Sequence, residues 1–342
     1  MSVLLLSGCV LPQSTPPVVK IGLIAPFEGL GRPLGYEVLY AVKLALQERN
    51  VAGYRVALVA LNDDDDARHA ARQARKLDVD DDVLGVIGPL SRTTIRAVAE
   101  PLAAAGLAWI APVSAPDEVI AAQANAFRLF ASDADLAEAA MRQALAAADA
   151  QQVAVSPTGD FAPPLRAAAE RLGAYRPSPG LPHQGRGGGG GNPVALGGNA
   201  EQVAEELLSL PDDAVVVAGP EAGRAVVAQR AGTAAEGLIW VSSAPPAEVL
   251  PPAFMSGYQA LAGGPPGPYA LLAYDAANVL LDAIELDVKQ HGRPTRPGVV
   301  AALSAVQAKG LSGDIRFDER GTWLQAPVFV YRVAGGDLFA RP

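Results

Sequence analysis

The chain has 342 residues and a mass of 35.1 kDa, so folding can bury about three quarters of its unfolded surface, and the length predicts two domains. Hydrophobic residues make up 50% and charged residues 18%, which excludes a disordered chain. The formal net charge of −9 offers no basic surface for nucleic acid or for an anionic membrane. With the single cysteine Cys9 and three widely separated histidines, we expect no intramolecular disulfide, no metal site and no cofactor.

The N-terminus carries a short apolar run that ends in Leu-Ser-Gly-Cys at residues 6–9. This pattern resembles a bacterial lipobox, and three prolines follow within residues 10–17, as in a tether. We therefore predict a lipoprotein signal and tether over residues 1–17, with lipid on Cys9. Such a chain would be extracytoplasmic and anchored to a membrane without spanning it. The alternative is a small buried cysteine in an ordinary N-terminal strand.

From Val18 onward, short apolar runs alternate with amphipathic stretches, which is the pattern of a parallel sheet covered by helices. Right-handed crossovers would make the first series one doubly wound lobe. The predicted strands of this series are 18–26, 55–61, 83–88 and 108–111, and the predicted helices are 36–49, 67–77 and 93–105.

A second series of the same class starts near Phe127 and predicts a second lobe. Its predicted helices are 133–148, 163–172, 201–208 and 222–231, and its predicted strands are 152–156, 214–218 and 238–241. Residues 174–200, rich in proline and glycine, are predicted to form a mobile loop without secondary structure. The remaining elements should complete the two lobes: helices 269–288 and 297–308, and strands 313–317 and 328–333.

A glycine-rich turn over residues 29–35 lies between the first strand and the first helix. A dinucleotide-binding loop occupies this place in α/β folds, and Asp63 ends the next strand, where such proteins carry a ribose-binding acid. The spacing here is GxGxxxG, and Pro33 interrupts it. A tight turn that needs positive φ is at least as good an interpretation. Either way, the turn lies at a strand carboxyl end, where ligands bind in such sheets, so Leu34 is a candidate contact.

Two aspartate runs, at residues 63–66 and 78–82, lack the glycine and terminal glutamate of a calcium loop. We interpret them as a cap for the helix that begins at Ala67 and as a solvated turn before Val83.

Hydroxyl groups and free backbone amides follow the third and fourth predicted strands. Ser91, Arg92 and Thr93 come after the third strand, and Ser114 and Ala115 come after the fourth. The carboxyl ends of parallel strands meet at one edge of a sheet, so these residues predict a site for a small carboxylate. The alternative is that the serines and threonines only cap the helix and shape the turn. The chain contains no GxSxG, Walker or HExxH motif, and we do not expect an enzyme.

Five blocks recur in order and resemble the Leu/Ile/Val-binding family of type I solute-binding proteins of bacterial ABC transporters. They are residues 19–26, 86–94, 109–114, 267–276 and 313–321. The resemblance implies two Rossmann-like, doubly wound α/β lobes joined by three crossovers, with ligand held in the cleft between them. It also implies a monomer with one lobe at 18–130 plus 264–326 and the other at 131–263 plus 327–342.

The resemblance carries over only part of the family's amino-acid site. Its carboxylate-binding positions match Thr93 and the turn at Ser114 and Ala115, and an aromatic that packs on the ligand falls near Phe161. Ser242 and Ser243 stand where the family has an acid for the ammonium group, and Pro220 replaces a tyrosine. An unpaired buried ammonium is costly, so an α-amino acid should bind poorly unless Glu221 or Glu28 substitutes for the missing acid.

These observations predict a lipid-anchored solute-binding protein that captures a small carboxylate-bearing ligand, an amino acid or a related molecule, and delivers it to the permease subunits of an ABC transporter. The alternative is a ligand-sensing or cell-wall-associated binding module of the same fold without transport. A nucleotide-dependent oxidoreductase built on residues 29–35 is a third hypothesis.

Overall fold

The computed structural model describes residues 16–177 and 193–340. The predicted lipidation of Cys9, the lipobox and most of the predicted mobile loop lie outside these residues. The first series of elements alternates strand and helix, as the apolar runs predict. Its elements are β1 (Val18–Ala25), α1 (Arg32–Glu48), β2 (Arg55–Asn62), α2 (Ala67–Asp78), β3 (Val83–Ile87), α3 (Arg92–Ala104), β4 (Ala108–Ala111), α4 (Asp117–Ala121) and β5 (Ala126–Arg128).

The remaining elements fall into two groups. The first group is α5 (Asp133–Ala148), β6 (Val153–Val155), α6 (Ala162–Arg171), β7 (Tyr175–Arg176), β8 (Val194–Leu196), α7 (Ala200–Leu207), β9 (Val216–Ala218), α8 (Ala225–Ala231) and β10 (Ile239–Ser242). The second group is α9 (Pro252–Ala262), α10 (Ala270–His291), α11 (Arg296–Ser304), β11 (Ala308–Gly310), β12 (Gly313–Ile315) and β13 (Phe329–Arg332).

Two separate sheets organise these elements into two lobes. The sheet of the first lobe is parallel, in the order β2-β1-β3-β4-β5. The sheet of the second lobe has the order β13-β10-β9-β8-β6-β7 and is parallel except for the antiparallel edge strand β13. The chain passes between the lobes three times, after β5, after β10 and after β12. Every residue of β3 and β4 is buried because helices cover both faces of the sheet.

The boundaries of α1 and α8 differ from the sequence prediction. Helix α1 begins at Arg32, four residues earlier than predicted, because Pro33 lies in the first turn, where the missing N–H is not needed. Helix α8 begins three residues later than predicted, since Pro220–Gly223 forms a 3-10 turn before it.

The prediction that residues 174–200 lack secondary structure is wrong at both ends of that segment. Strand β7 lies at its start, and β8 follows Pro193 and pairs with both β6 and β9. Both strands are only two or three residues long, so the sequence offers no alternation from which to recognise them.

Helix α9 was not predicted, and it packs on the first lobe. The Tyr258 hydroxyl donates to the Glu37 carbonyl at 3.2 Å, and the Tyr258 ring lies 6.4 Å from that of Tyr40. The Phe254 ring meets Tyr274 of α10 edge to face at 5.3 Å. The predicted boundary at residue 264 assigns this helix to the second lobe, whereas its packing is on α1 and α10.

Candidate functional site

A cavity of about 760 Å³ lies between the two lobes, where the carboxyl ends of their parallel strands face each other. The first lobe supplies the start of α1, the loop after β2 and the start of α3. The second lobe supplies Asp160, the starts of α7 and α8, and Glu221, while Tyr269 lines the cavity just before α10. Ligands of open α/β sheets bind at this end of the strands, and the volume suits a small organic molecule.

The start of α3 is held by a capping box. The Ser91 hydroxyl accepts from the Thr94 amide at 3.3 Å, and the Ser91 amide donates to the Thr94 hydroxyl at 3.3 Å. Ser91 therefore caps the helix, which was the alternative interpretation of this serine. It also lines the cavity. Thr93, the second residue of α3, is exposed and lines the same cavity, so its hydroxyl is open to a ligand.

Arg92 forms the most deeply buried ionic contacts of the site. Its two terminal nitrogens donate to the two carboxylate oxygens of Asp133 at 2.7 and 3.0 Å, and Nε donates to Asp160 at 3.0 Å. One terminal nitrogen also donates to the Ser114 hydroxyl at 3.1 Å, and the guanidinium carbon lies 5.4 Å from the centre of the Phe161 ring. Burial by itself would lower the pKa of Arg92, but the two carboxylates outweigh burial and raise it.

A second arginine reaches across the cavity in the opposite direction. Arg224 of the second lobe pairs with Glu221 of its own lobe at 3.0 Å and with Asp65 of the first lobe at 3.3 Å. It also donates to the Leu90 carbonyl of the first lobe. Burial raises the pKa of the Glu221 carboxyl above its usual range, against the opposing effect of Arg224. Arg92 and Arg224 thus link the two lobes by ion pairs on either side of the cavity.

Glu37 of α1 lines the cavity beside the connection that precedes α10. Its carboxylate accepts from the Tyr269 amide at 2.5 Å. Glu37 therefore caps the start of α10, although it belongs to α1. A side chain at Gly267 would lie 2.3 Å from this carboxylate, so glycine there leaves room for Glu37 in its present position. Burial raises the pKa of Glu37 from its ordinary value of 4.5 to about 8, although the backbone hydrogen bonds oppose this.

Asp63 holds the adjacent aspartate turn in place. Its carboxylate accepts from the Asp65 amide at 3.0 Å, and Asp64 and Asp65 both adopt left-handed backbone conformations. Asp63 is buried and is not among the described residues that line the cavity. The Asp66 side chain caps α2 through the His69 amide at 2.7 Å, as predicted for this run.

The sequence-predicted site residues separate into two groups. Leu34, Ser91, Arg92, Thr93 and Glu221 line the cavity. The other predicted contacts are buried behind its wall, and none is among the described residues that line it: Ser114, Ala115, Phe161, Pro220, Ser242 and Ser243.

Three of the residues behind the wall have structural contacts of their own. The Ser243 hydroxyl accepts from the Ala131 amide at 2.8 Å and so joins two of the connections between the lobes. The Ser242 hydroxyl accepts from the Ala244 amide at 3.0 Å. A side chain at Gly219 would lie 2.4 Å from the Phe161 ring, so that ring fills the space beside the β9 end.

Sequence reasoning missed Glu37, Asp160 and Arg224 as cavity residues. Each is a charged residue in or beside a helix with no motif around it, and only tertiary packing brings it to the cleft. Arg224 follows the Pro220 turn, and its spacing of three from Glu221 was the one signal that could have paired them.

The two sheets, the three connections and the cleft between the lobes define a type I two-lobed α/β binding protein, which confirms the predicted fold class. A family model for the periplasmic binding proteins matches residues 18–175 and 204–337. The chain therefore belongs to the periplasmic binding protein family.

Solved structures with the same fold cover nearly the whole chain. A leucine-binding protein LivK from Thermotoga maritima has 22% identity and a TM-score of 0.79, over 93% of this chain and 96% of that one. The branched-chain amino acid substrate-binding protein LivJ from Streptococcus pneumoniae, in complex with isoleucine, has 18% identity and a TM-score of 0.78, over 94% and 98%. A solute-binding protein from R. palustris in complex with benzoate has 18% identity and a TM-score of 0.70, over 94% of each chain. A search of curated proteins gives no significant match.

The described residues contain neither a helix that can span a membrane nor a cluster of side chains that can hold a metal ion. Of the helices in residues 16–177 and 193–340, none has both the length and the apolar character needed to cross a bilayer. The same residues contain no group of three or more His, Cys, Asp or Glu side chains placed to hold a metal ion.

Proposed function

We propose that this chain is a solute-binding protein that captures a small carboxylate-bearing molecule between its lobes and delivers it to an ABC transporter. The observation that carries the proposal is the cavity of about 760 Å³ whose walls come from both lobes. A solute that contacts both walls binds the closed form more tightly than the open form, and it therefore shifts the protein toward closure. Membership of the periplasmic binding protein family supports this role.

One feature of the cavity and the ligands of two similar structures support a carboxylate-bearing ligand. Thr93 presents a hydroxyl in the first turn of α3, where backbone N–H groups lack helical acceptors and the helix dipole favours negative charge. The solutes bound to the neighbouring structures, isoleucine and benzoate, both carry a carboxylate.

The cavity also contains acids that could receive an ammonium group. Glu37 and Glu221 line it, although the family's acidic position is occupied by Ser242 and Ser243. Glu221 is the candidate substitute for the missing acid, but it already pairs with Arg224, so an ammonium group would have to displace Arg224 to use it. An amino acid and a simple organic acid are both candidate ligands.

The placement of the protein belongs to the same proposal. We propose an extracytoplasmic location, in the periplasm or on the outer face of the cytoplasmic membrane, with lipid on Cys9 as the anchor and permease subunits as partners of the closed monomer. Mass spectrometry of the membrane fraction should find the lipid on Cys9. An unmodified full-length chain would contradict the anchor and leave solute capture unaffected.

Titration calorimetry with the 20 common amino acids and a panel of aliphatic and aromatic acids tests solute capture. We expect at least one of them to bind with one-to-one stoichiometry. The Thr93→Ala variant should bind the same solute more weakly, whereas Thr233→Ala, in a 3-10 turn of the second lobe that does not line the cavity, should bind it like the wild type. Failure of every compound to bind would remove the proposed function.

A further inference from the structure

The C-terminal residues form a β-hairpin that the sequence did not predict. Ala334 and Asp337 exchange both backbone hydrogen bonds, at 3.1 and 3.0 Å, and the Arg332 amide donates to the Ala340 carbonyl at 2.8 Å. Gly335 and Gly336 between them have φ of 57° and 82°. Positive φ at both central residues is the type I′ turn, which matches the twist of paired strands and here requires glycine.

Aromatic contacts fix this hairpin to the second lobe. The Trp240 indole N–H donates to the Leu338 carbonyl at 2.6 Å, and the Phe339 ring packs edge to face on Trp240 at 4.9 Å and on Tyr331 at 5.2 Å. The hairpin is therefore a fixed part of the lobe, and residues 336–339 line the interlobe cavity.

The hairpin contributes apolar side chains to a cavity that also contains several charged groups. Leu338 and Phe339 line it together with Ala225 and Val226 of α8. The first lobe contributes Leu30, which is 49% exposed, with Pro33 and Leu34. Leu30 is exposed, Phe339 is half-buried and Leu338 is buried, and together they line an apolar part of the cleft wall that an apolar group can contact.

We propose that the C-terminal hairpin and the start of α1 form an apolar subsite of the cleft, so that the preferred solute is a carboxylate with an aryl or similarly large apolar extension. The inference rests on the proposed function and narrows its ligand class. The volume of about 760 Å³ leaves room for such a ligand.

Calorimetry with acetate, phenylacetate, 3-phenylpropionate and 4-phenylbutyrate tests the subsite, because these probes share the carboxylate and differ in apolar length. We expect the affinity of the wild type to rise across the series, with a gain on the order of tenfold or more. Leu30→Gln and Phe339→Ala should each remove most of that gain. Leu208→Ala, at a residue of the second lobe that is 54% exposed and does not line the cavity, is the matched control and should keep the gain.

The outcomes separate the subsite from solute capture. A flat affinity across the series, or an equal gain in the wild type and in Leu30→Gln, overturns the subsite while short carboxylates still bind. Because Phe339→Ala also removes a packing contact with Trp240, Leu30→Gln provides the test that is independent of folding. If neither this series nor the amino acids bind, solute capture fails as well.

Discussion

Trp109 is fully buried among aliphatic side chains of the first lobe, whereas guanidinium and carboxylate groups fill much of the space between the lobes. The apolar contacts within a lobe lose their stabilisation once water enters, so each lobe should move as a rigid unit. An exposed ion pair across the cleft, such as that of Arg96 with Asp160, can exchange its protein partner for water at small net cost. The difference indicates that this chain can open between its lobes without unfolding either of them.

The largest expected effect comes from the one ionic cluster that is as buried as the core. Arg92→Ala removes the partner of Asp133, whose side chain is 4% exposed, and leaves an uncompensated buried charge. We expect a loss of about 3–5 kcal/mol in the free energy of unfolding, measured by urea denaturation.

The matched control for that experiment is Arg142→Ala. Arg142 pairs with Glu138 on an exposed helix face, and its loss should change the free energy of unfolding by less than about 0.5 kcal/mol. Equal effects of the two substitutions would show that the Arg92 cluster is no different from a surface ion pair.

A smaller effect should follow the protonation of Glu37. The folded protein holds this proton up to a pKa of about 8, whereas the unfolded chain releases it near 4.5, so the folded state binds more protons between these values. Stability therefore falls as pH rises through that window. Glu37→Gln cannot release a proton, and its stability relative to the wild type should rise by roughly 2–3 kcal/mol between pH 5 and pH 7.

Urea titrations of both proteins at several pH values measure this difference. A constant difference for Glu37→Gln would contradict the raised pKa.

The contacts of Arg224 sharpen the comparison, because they lie between the lobes and not inside one. Arg224→Gln removes the link to Asp65 and should weaken the closed form. We expect a loss on the order of tenfold in affinity for the tightest-binding solute among leucine, isoleucine and benzoate.

Arg142→Gln is the control for Arg224, because Arg142 pairs with Glu138 on an exposed helix face of the second lobe and neither residue lines the cavity. Its affinity should match that of the wild type. If Arg224→Gln binds as tightly as the wild type, the link across the cleft does not stabilise closure.

The smallest expected effect is the loss of the cap at α3. Ser91→Ala removes the acceptor for the Thr94 amide and should lower the free energy of unfolding by about 1 kcal/mol. Ser91→Asn keeps an acceptor at this position and should restore most of the loss. If Asn and Ala destabilise equally, Ser91 does not act as a cap.

Much of the lobe architecture follows from local sequence patterns. The apolar runs at β1, β3 and β4 are buried in the sheet, and the segments between them have apolar residues at helical spacing. The parallel sheet of the first lobe was therefore predictable. Ser91 was recognisable because a cap depends on residues three positions apart. Helix α9 escaped prediction because its aromatic residues pack on α10 and on α1, and α1 lies far earlier in the chain.

The cleft was predictable only where it coincides with strand ends. Thr93 and Leu34 lie in the first turns of the helices that follow β3 and β1, so a rule about strand ends places them at the cavity. The same rule also selected Ser114 and Ser242, whose hydroxyls are used by Arg92 and by the Ala244 amide. A strand-end rule cannot distinguish a ligand contact from a structural contact, because both present the same polar groups.

Whether one solute contacts both lobes is tested most directly by amide chemical shifts of the labelled protein during titrations with leucine and with benzoate. The account predicts that, for a solute that binds, amides of residues 91–93 in the first lobe and 221–224 in the second shift together with a single affinity. Shifts confined to one lobe, or no shifts at saturating concentrations of either solute, would contradict it.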